Sequence, residues 1–384
     1  MLRKTLFWIH LTSGLLAGLV IAVMSVTGAA LAFEDEWIAL AEGNSRQIQP
    51  PAVALARLSL EDLADRVSAA SDRPISSVTV SRDPATAVAF AAAPDELYWA
   101  NPYTGEVRSN PGNRLRGLFR SLLSLHRWLG ADGEGRAVGR AVTGACTVAF
   151  ALLVATGLVL WWPPTWKWRR LRLRIVPSVV LRGRAREWNW HMALGFWFSP
   201  VLLVLSLTGI VLAYRWAADL PYRLTHTAPS RRPVERSETN VETPASLDRL
   251  AAAATARFPD WTELSLRWAR PSESRPDVPP RTRDERTALS RTRLSVVSAS
   301  VRAAGDQPSF LAHQLRLDAG TARIVGEESY ATMNDGRRIH SWIRHLHTGE
   351  AFGMIGKLVA AAACLCGALL VWTGIVLAAR RLFG

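Results

Sequence analysis

Residues 10–33 read HLTSGLLAGLVIAVMSVTGAALAF, a histidine followed by an apolar run without a single charge. Such a run exceeds the ~20 residues needed to cross ~30 Å of hydrocarbon. In water it would form a helix apolar on every side, the mark of a membrane span rather than of an amphipathic surface helix. Residues 191–214, HMALGFWFSPVLLVLSLTGIVLAY, repeat it without a gap. His10 falls on His191, Gly14 on Gly195, Ser25 on Ser206 and Thr27-Gly28 on Thr208-Gly209. Leu31-Ala32-Phe33 then meets Leu212-Ala213-Tyr214.

A second repeated pair lies outside these stretches. Gly139-Arg140 meets Gly356-Lys357, Thr156-Gly157 meets Thr373-Gly374, and after a small gap Leu125-His126 meets Leu346-His347. The apolar segments are therefore Phe7–Phe33, Ala141–Trp162, Met192–Tyr214 and Met354–Ala379. Each half is span, long loop, span. Two such halves entering from the same side are parallel repeats, related by a pseudo-twofold along the membrane normal, which brings equivalent residues face to face. The first segment is too long for a signal-peptide core, and its small residues are not gathered at a cleavage site, so it reads as a retained span.

Charge gives the orientation. The chain has 384 residues, is 49% hydrophobic and carries a net charge of +14. The loop from Pro163 to Trp188 holds Lys167, Arg169, Arg170, Arg172, Arg174, Arg182, Arg184 and Arg186 against one acid, Glu187. Arg3 and Lys4 precede the first span, and Arg380 and Arg381 follow the last. With four spans all three places share one side, and all are basic, which makes that side cytoplasmic. Much of the charge is thus topological, and no nucleic-acid partner is expected. Trp161, Trp162, Trp166, Trp168, Trp188 and Trp190 read as an aromatic belt at the same face. Cys146, Cys364 and Cys366 all fall within spans, so the loops have no disulfide framework and the thiols read as small buried residues.

The expected fold is a membrane α-helical protein of four transmembrane helices. In order come a span over 1–34, a periplasmic α/β module over 35–136, a span over 137–163 and a basic cytoplasmic loop over 164–188. A span over 189–214, a second module over 215–353, and a last span with cytoplasmic tail over 354–384 complete it. In the first loop, Ser59–Ser71 has helical spacing with Glu61 and Asp62 at its start, and Ser77–Val80 and Ala87–Ala91 alternate as strands do. Tyr98-Trp99-Ala100-Asn101-Pro102-Tyr103-Thr104-Gly105-Glu106-Val107 is a strand–turn–strand signal. The second loop has a helix signal at Ser246–Phe258 and a hairpin from Gln314 to Val325. Arg270–Arg293, rich in proline, arginine and acid, reads as a mobile insertion.

No acid–base or nucleophilic constellation stands in the loops, so the chemistry is sought in the spans, where an ionisable side chain is a functional hypothesis by default. His10 and His191 open spans one and three; His126 and His347 precede spans two and four at the other face. Parallel repeats bring His10 toward His191 and His126 toward His347, and facing imidazoles suit the axial positions of a haem iron. A lone histidine at an interface is more often a headgroup-level residue; the survival of both pairs amid divergence tips the balance. Zinc wants three or four ligands; only the outer pair has companions for it, in His340, His345 and Glu350. From His10 to Phe33 a helix rises roughly 35 Å at ~1.5 Å per residue, so two haems, one near each face, would form a relay. Gly14, Gly28, Gly195 and Gly209 make room for a macrocycle or for close helix packing. Arg127, Arg140, Arg344 and Lys357 are propionate partners or snorkelling interfacial cations.

These motifs resemble a known family. Ser25-Val26-Thr27-Gly28 with His10, Leu346-His347-Thr348-Gly349, and the hairpin from Asn101 to Val107 are similar to the PepSY-associated transmembrane family across nearly the whole chain. The second loop has Asp318-Ala319-Gly320 where that family has a Pro-Tyr-Thr-Gly turn. The family includes inner-membrane reductases of iron-siderophore uptake that bind b-type haem through histidines. The resemblance implies small α/β PepSY modules in the periplasm and two haems b, with axial ligands His10, His191, His126 and His347, and His345 as an alternative to His347. It implies electrons passing from a quinol or a cytoplasmic reductase to a periplasmic ferric siderophore. Some relatives carry a fused flavin reductase domain; nothing here resembles one, so the donor is expected to be another molecule. Two other readings stand beside this one. One is a haem-free, membrane-anchored binding or regulatory module; the other is a haem protein with a non-iron periplasmic acceptor.

Overall fold

The computed structural model describes residues 1–383 except 52–55, 72, 94–95, 230–243, 269–295 and 307. The expected mobile insertion at Arg270–Arg293 lies outside the described residues. In chain order the elements begin with α1 (Leu2–Leu31), α2 (Glu34–Glu42), α3 (Leu60–Ser71), β1 (Ser77–Ser81), β2 (Val88–Ala93), β3 (Glu96–Ala100) and β4 (Val107–Ser109). Next come α4 (Asn113–Trp128), α5 (Gly135–Trp161), α6 (Trp168–Ile175), α7 (Gly183–Ala213), α8 (Arg215–Ala218), α9 (Leu220–Leu224) and α10 (Leu247–Arg257). The last are β5 (Trp261–Trp268), β6 (Val296–Ala303), β7 (His313–Asp318), β8 (Ile324–Glu328), α11 (Asp335–Thr348), a 3-10 turn (Glu350–Phe352) and α12 (Gly353–Leu382).

The chain forms two compact units. One holds Met1–Asp35, Leu118–Pro229 and Asp335–Gly384; the other holds Glu36–Gly117 and Ser230–Asn334. These bounds fall inside the loop modules expected over 35–136 and 215–353. The reason is that most of α4 and all of α11 belong with the long helices, carrying His126 and His347 among them.

In the first unit four helices are long and apolar enough to cross a membrane: α1, α5, α7 and the helix ending at Leu382. α1 and α7 each pack against both α5 and α12, which sets α1 and α7 at opposite corners. The buried faces are built of small residues: Ala17, Gly18, Ser25 and Thr27 in α1, and Ala360, Ala363, Gly367 and Thr373 in α12. Small residues let helix backbones approach closely where no hydrophobic force separates lipid from protein. Large apolar side chains such as Leu16, Leu19, Trp197 and Ile355 point outward, the reverse of a water-soluble protein. Cys146, Cys364 and Cys366 are free thiols, Cys366 buried.

The tryptophan belt is smaller than expected. Trp162, Trp166, Trp168 and Trp188 are exposed. Trp161 is buried and stacks on Phe196 at 4.1 Å, and Trp190 is half-buried and donates to the Ser178 carbonyl at 2.9 Å. The basic loop is tied down by Asn189, fully buried, whose amide donates to the Leu173 and Val176 carbonyls and whose carbonyl accepts from Ser178 N.

The second unit is an eight-stranded antiparallel sheet in the order β4-β3-β2-β1-β5-β6-β7-β8. Each long loop supplies four strands with a helix packed on them, α3 or α10, and the two sets join where β1 pairs with β5, Thr79 opposite Ser265. Their hydroxyls share a hydrogen bond of 3.0 Å. Residues alternate across the strands: Val78, Phe90, Leu264, Leu266, Val301, Leu315 and Leu317 are buried with Leu63 and Val67 of α3 and Leu250 and Ala254 of α10 in one core. The helices begin alike. Ser59 Oγ accepts from Asp62 N and Ser246 Oγ accepts from Arg249 N, each capping its own first turn. Each helix is also capped by the other's acid: Leu60 N donates to Asp248 Oδ2 at 2.9 Å, and Leu247 N donates to Glu61 Oε1.

The hairpin of the second loop, different in sequence, makes the same turn as the first. Asn101 Oδ1 accepts from Tyr103 N and Thr104 N, and Gly105 N donates to the Asn101 carbonyl. Asp318 Oδ1 accepts from Gly320 N and Thr321 N, and Ala322 N donates to the Asp318 carbonyl. An Asx turn needs only the short side-chain oxygen at its first position, so Asn and Asp serve equally. Both turns end in a left-handed residue, Gly105 at φ 72° and Ala322 at φ 60°.

A β-carbon in the left-handed region costs about 1–2 kcal/mol, so Ala322→Gly should raise stability by up to about 1 kcal/mol. Gly105→Ala should lower it by about 1–2 kcal/mol, since its Cβ would also stand 2.5 Å from Arg66 Nη1. Thermal unfolding of the detergent-purified chain measures both. Separately, burial and the adjoining Asp248 carboxyl raise the Glu61 carboxyl above its ordinary value. The folded state thus holds that proton more tightly than the unfolded one, and its contribution is present at acid pH and lost as pH rises through the raised value. Glu61→Gln should flatten this fall in stability from acid to neutral pH.

Candidate functional site

The four repeated histidines meet in two pairs, as the sequence expects. His10 of α1 faces His191 of α7 with ring centroids 6.3 Å apart and planes at 85°. His126 of α4 faces His347 of α11 at 6.4 Å and 61°. Each imidazole is held from behind by a Thr-Gly step on another helix. His10 Nδ1 lies 2.9 Å from Thr156 Oγ1, His191 Nδ1 2.9 Å from Thr373 Oγ1, His126 Nδ1 3.0 Å from Thr27 Oγ1, and His347 Nδ1 3.0 Å from Thr208 Oγ1.

The glycine of each step is where the ring lies against the helix. A Cβ at Gly157 would stand 3.4 Å from His10 Cε1, and one at Gly374 3.4 Å from His191 Cε1. The corresponding distances are 3.2 Å from Gly28 to His126 Cε1 and 3.2 Å from Gly209 to His347 Cε1. Gly28 and Gly209, read as room for a macrocycle or for close helix packing, are where an imidazole ring lies against the helix. The threonines entered the sequence reading only as markers of the repeat; their role was not read there, although their recurrence before glycine was the signal.

With Nδ1 engaged, Nε2 is the nitrogen left for a metal. Two imidazoles bonded to opposite sides of one metal by the length usual for metal–imidazole bonds, about 2.0 Å, have centroids about 6 Å apart. Both pairs have that spacing. The inner pair opens on a cavity of about 490 Å³, also lined by Gly14, Gly18 and Gly195 and by Trp161 and Phe196. Its volume falls in the range of about 300–1,000 Å³ typical of cofactor sites. Gly14 and Gly195 thus do flank a space, as expected. Arg174, Arg184 and Arg381 line it too, cations the sequence reading did not single out for a site. The two sites lie closer together than the ends of span one. His126 is held at Thr27, and from His10 to Thr27 a helix rises roughly 25 Å at ~1.5 Å per residue.

Around the outer pair the expected cations divide. Burial, with Arg140 and Arg344 nearby, lowers the Arg127 guanidinium from its ordinary value, so the three arginines form one positive cluster. Lys357 is buried and stands 3.8 Å from Asp35 instead. His345 turns away from the pair: its Nδ1 donates to the Ser341 carbonyl at 2.8 Å and its Nε2 lies 3.6 Å from Glu350. The residue opposite His126 is therefore His347. His340 lies against Tyr222, 6.2 Å between rings. Among the described residues no three of His, Cys, Asp and Glu gather as a metal site, so the zinc reading of His340, His345 and Glu350 finds no support.

The family model described as PepSY-associated TM region matches residues 7–381. No curated protein matches the chain.

Because a Cβ at Gly209 would stand 3.2 Å from both His347 Cε1 and Thr147 Cγ2, Gly209→Val should overpack the outer site and cost about 1–3 kcal/mol. Gly14→Ala, whose Cβ would stand 3.7 Å from Leu153 Cδ2, should be tolerated. Denaturation midpoints of the two variants in one detergent test the contrast.

Proposed function

The chain belongs to the PepSY-associated transmembrane family, and on that footing we propose that it is an inner-membrane reductase carrying two haems b, which passes electrons across the bilayer to a periplasmic ferric siderophore. The observation that carries this reading is the pair of facing imidazole couples, each with the spacing of an axial ligand set. Haem held by two histidines supplies reversible one-electron transfer and has no open position for oxygen.

The remaining work belongs to the chain. α1 and α7 bring His10 and His191 to the end bearing Arg3, Arg380 and Arg381, which the positive-inside bias makes cytoplasmic. α4 and α11 bring His126 and His347 to the periplasmic end. Arg174, Arg184 and Arg381 on the inner side, and Arg127, Arg140 and Arg344 on the outer, offer cations to propionates. Apolar helices keep water away. The halves are two parallel repeats, and the sheet unit, with its PepSY-like modules, is periplasmic.

The donor is a quinol or a cytoplasmic reductase. A quinol gives up two electrons and two protons, and each electron converts one ferric ion to ferrous. Reduction loosens the chelate because hard oxygen donors favour the ferric ion.

Detergent-purified protein should show a sharp b-type spectrum on dithionite reduction, with about two haems per chain by pyridine haemochrome. His10→Ala and His347→Ala should each remove one. Anaerobic mixing of the reduced protein with a ferric hydroxamate should reoxidise it and yield trappable ferrous iron. A protein that takes up no haemin overturns the reading in favour of a haem-free binding module. Reoxidation by a periplasmic redox protein but not by the chelate points to a non-iron acceptor.

A further inference from the structure

The hydrogen bonds behind the four imidazoles have one direction. Each threonine spends its own proton on its helix: Thr27 Oγ1 donates to the Val23 carbonyl at 2.8 Å, Thr156 to Leu152 at 2.7 Å, Thr208 to Val204 at 2.7 Å and Thr373 to Leu369 at 2.9 Å. With that proton committed, Oγ1 meets the imidazole as an acceptor. Behind one of the four rings a backbone carbonyl faces Nδ1 as well, that of Leu205 behind His347. For His347 this contact is 3.0 Å. A carbonyl can only accept. The committed hydroxyl, and for His347 the carbonyl too, therefore requires the hydrogen on Nδ1, and the lone pair is left on Nε2, the nitrogen free for a metal.

We propose that Thr27, Thr156, Thr208 and Thr373 are positioning residues, each fixing the tautomer and orientation of one axial histidine and thereby tuning the iron affinity and redox potential of the site that histidine serves. The inference rests on the haem reading above. The acceptor is a neutral hydroxyl. It strengthens the imidazole as a donor without drawing off its proton, as a carboxylate partner would tend to do, so each ligand stays a neutral imidazole.

The arrangement crosses over between sites. α1 carries His10, a ligand of the inner pair, and Thr27, which holds His126 of the outer pair. α7 likewise carries His191 of the inner pair and Thr208, which holds His347. Helix α1 thus orients both sites, and a substitution at Thr27 acts on the one whose ligand it does not carry. A structural role for Thr27 in packing α1 would not single out one site.

The test is a haemin titration of the apoprotein, followed by a spectroelectrochemical titration of the loaded protein, on the full chain with Thr27→Val and Thr27→Ser. Thr27→Val should weaken one of two equivalents by about 10-fold. That equivalent should be the one His126→Ala abolishes, and its midpoint potential should rise, because a less basic imidazole stabilises the ferric state less. The other component should keep its affinity and potential. Thr27→Ser, which retains the oxygen, should keep both at their wild-type values. A Thr27→Val protein with both affinities and both potentials unchanged overturns the proposal, as does a Thr27→Ser protein as impaired as Thr27→Val, since the methyl would then be what matters. Wild-type protein that takes up no haemin fails earlier, overturning the haem reading itself before any substitution is made.

Discussion

An imidazole set among apolar helices has two ring nitrogens to satisfy and no bulk water to do it. The Thr-Gly steps answer that constraint four times over: the hydroxyl takes the Nδ1 hydrogen, and the missing side chain of the glycine makes room for the ring. The rest of the bundle follows. α4 and α11 lie with the long helices because their histidines are seated on α1 and α7. α5 and α12 fill the other corners, where Thr156 and Thr373 hold His10 and His191. Small residues along the buried faces allow the approach that those hydrogen bonds demand.

The sheet unit solves a different problem. A helix on four short strands buries little apolar surface alone, and a four-stranded meander exposes two edges. Pairing β1 with β5 removes one edge from each half and lets α3 and α10 share a single core. The Glu61–Asp248 contact is what this union imposes, because it brings two helix N-termini together and each accepts the other's acid. Two carboxyls are thereby placed side by side, and burial together with the Asp248 carboxyl raises the Glu61 carboxyl.

Residues alike in sequence part company in the structure. Trp161 and Trp190 look in sequence like the tryptophans beside them, yet face inward, because belt membership depends on which side of a helix end the partner helix occupies. Lys357 and Arg140 are repeat equivalents with different neighbours: Asp35 stands within reach of the lysine, while Arg140 lies near Arg127. Ala322 stands where Gly105 does in the first loop; the hydrogen bonds of the Asx turn hold the left-handed conformation that alanine by itself disfavours.

The sequence by itself determined the four apolar helices, the pairing of His10 with His191 and of His126 with a histidine ahead of the last span, and the helix and hairpin of each loop. These follow from composition and from periodicity within a segment, and from symmetry between two copies of it. Only the tertiary structure decided that His347 rather than His345 faces His126, since the two stand in one short helix and differ in the direction each projects. It alone assigned the threonines their histidines and fused two meanders into one sheet. Those are contacts between residues far apart in the chain, fixed by where helices and strands pack, and no local pattern encodes them.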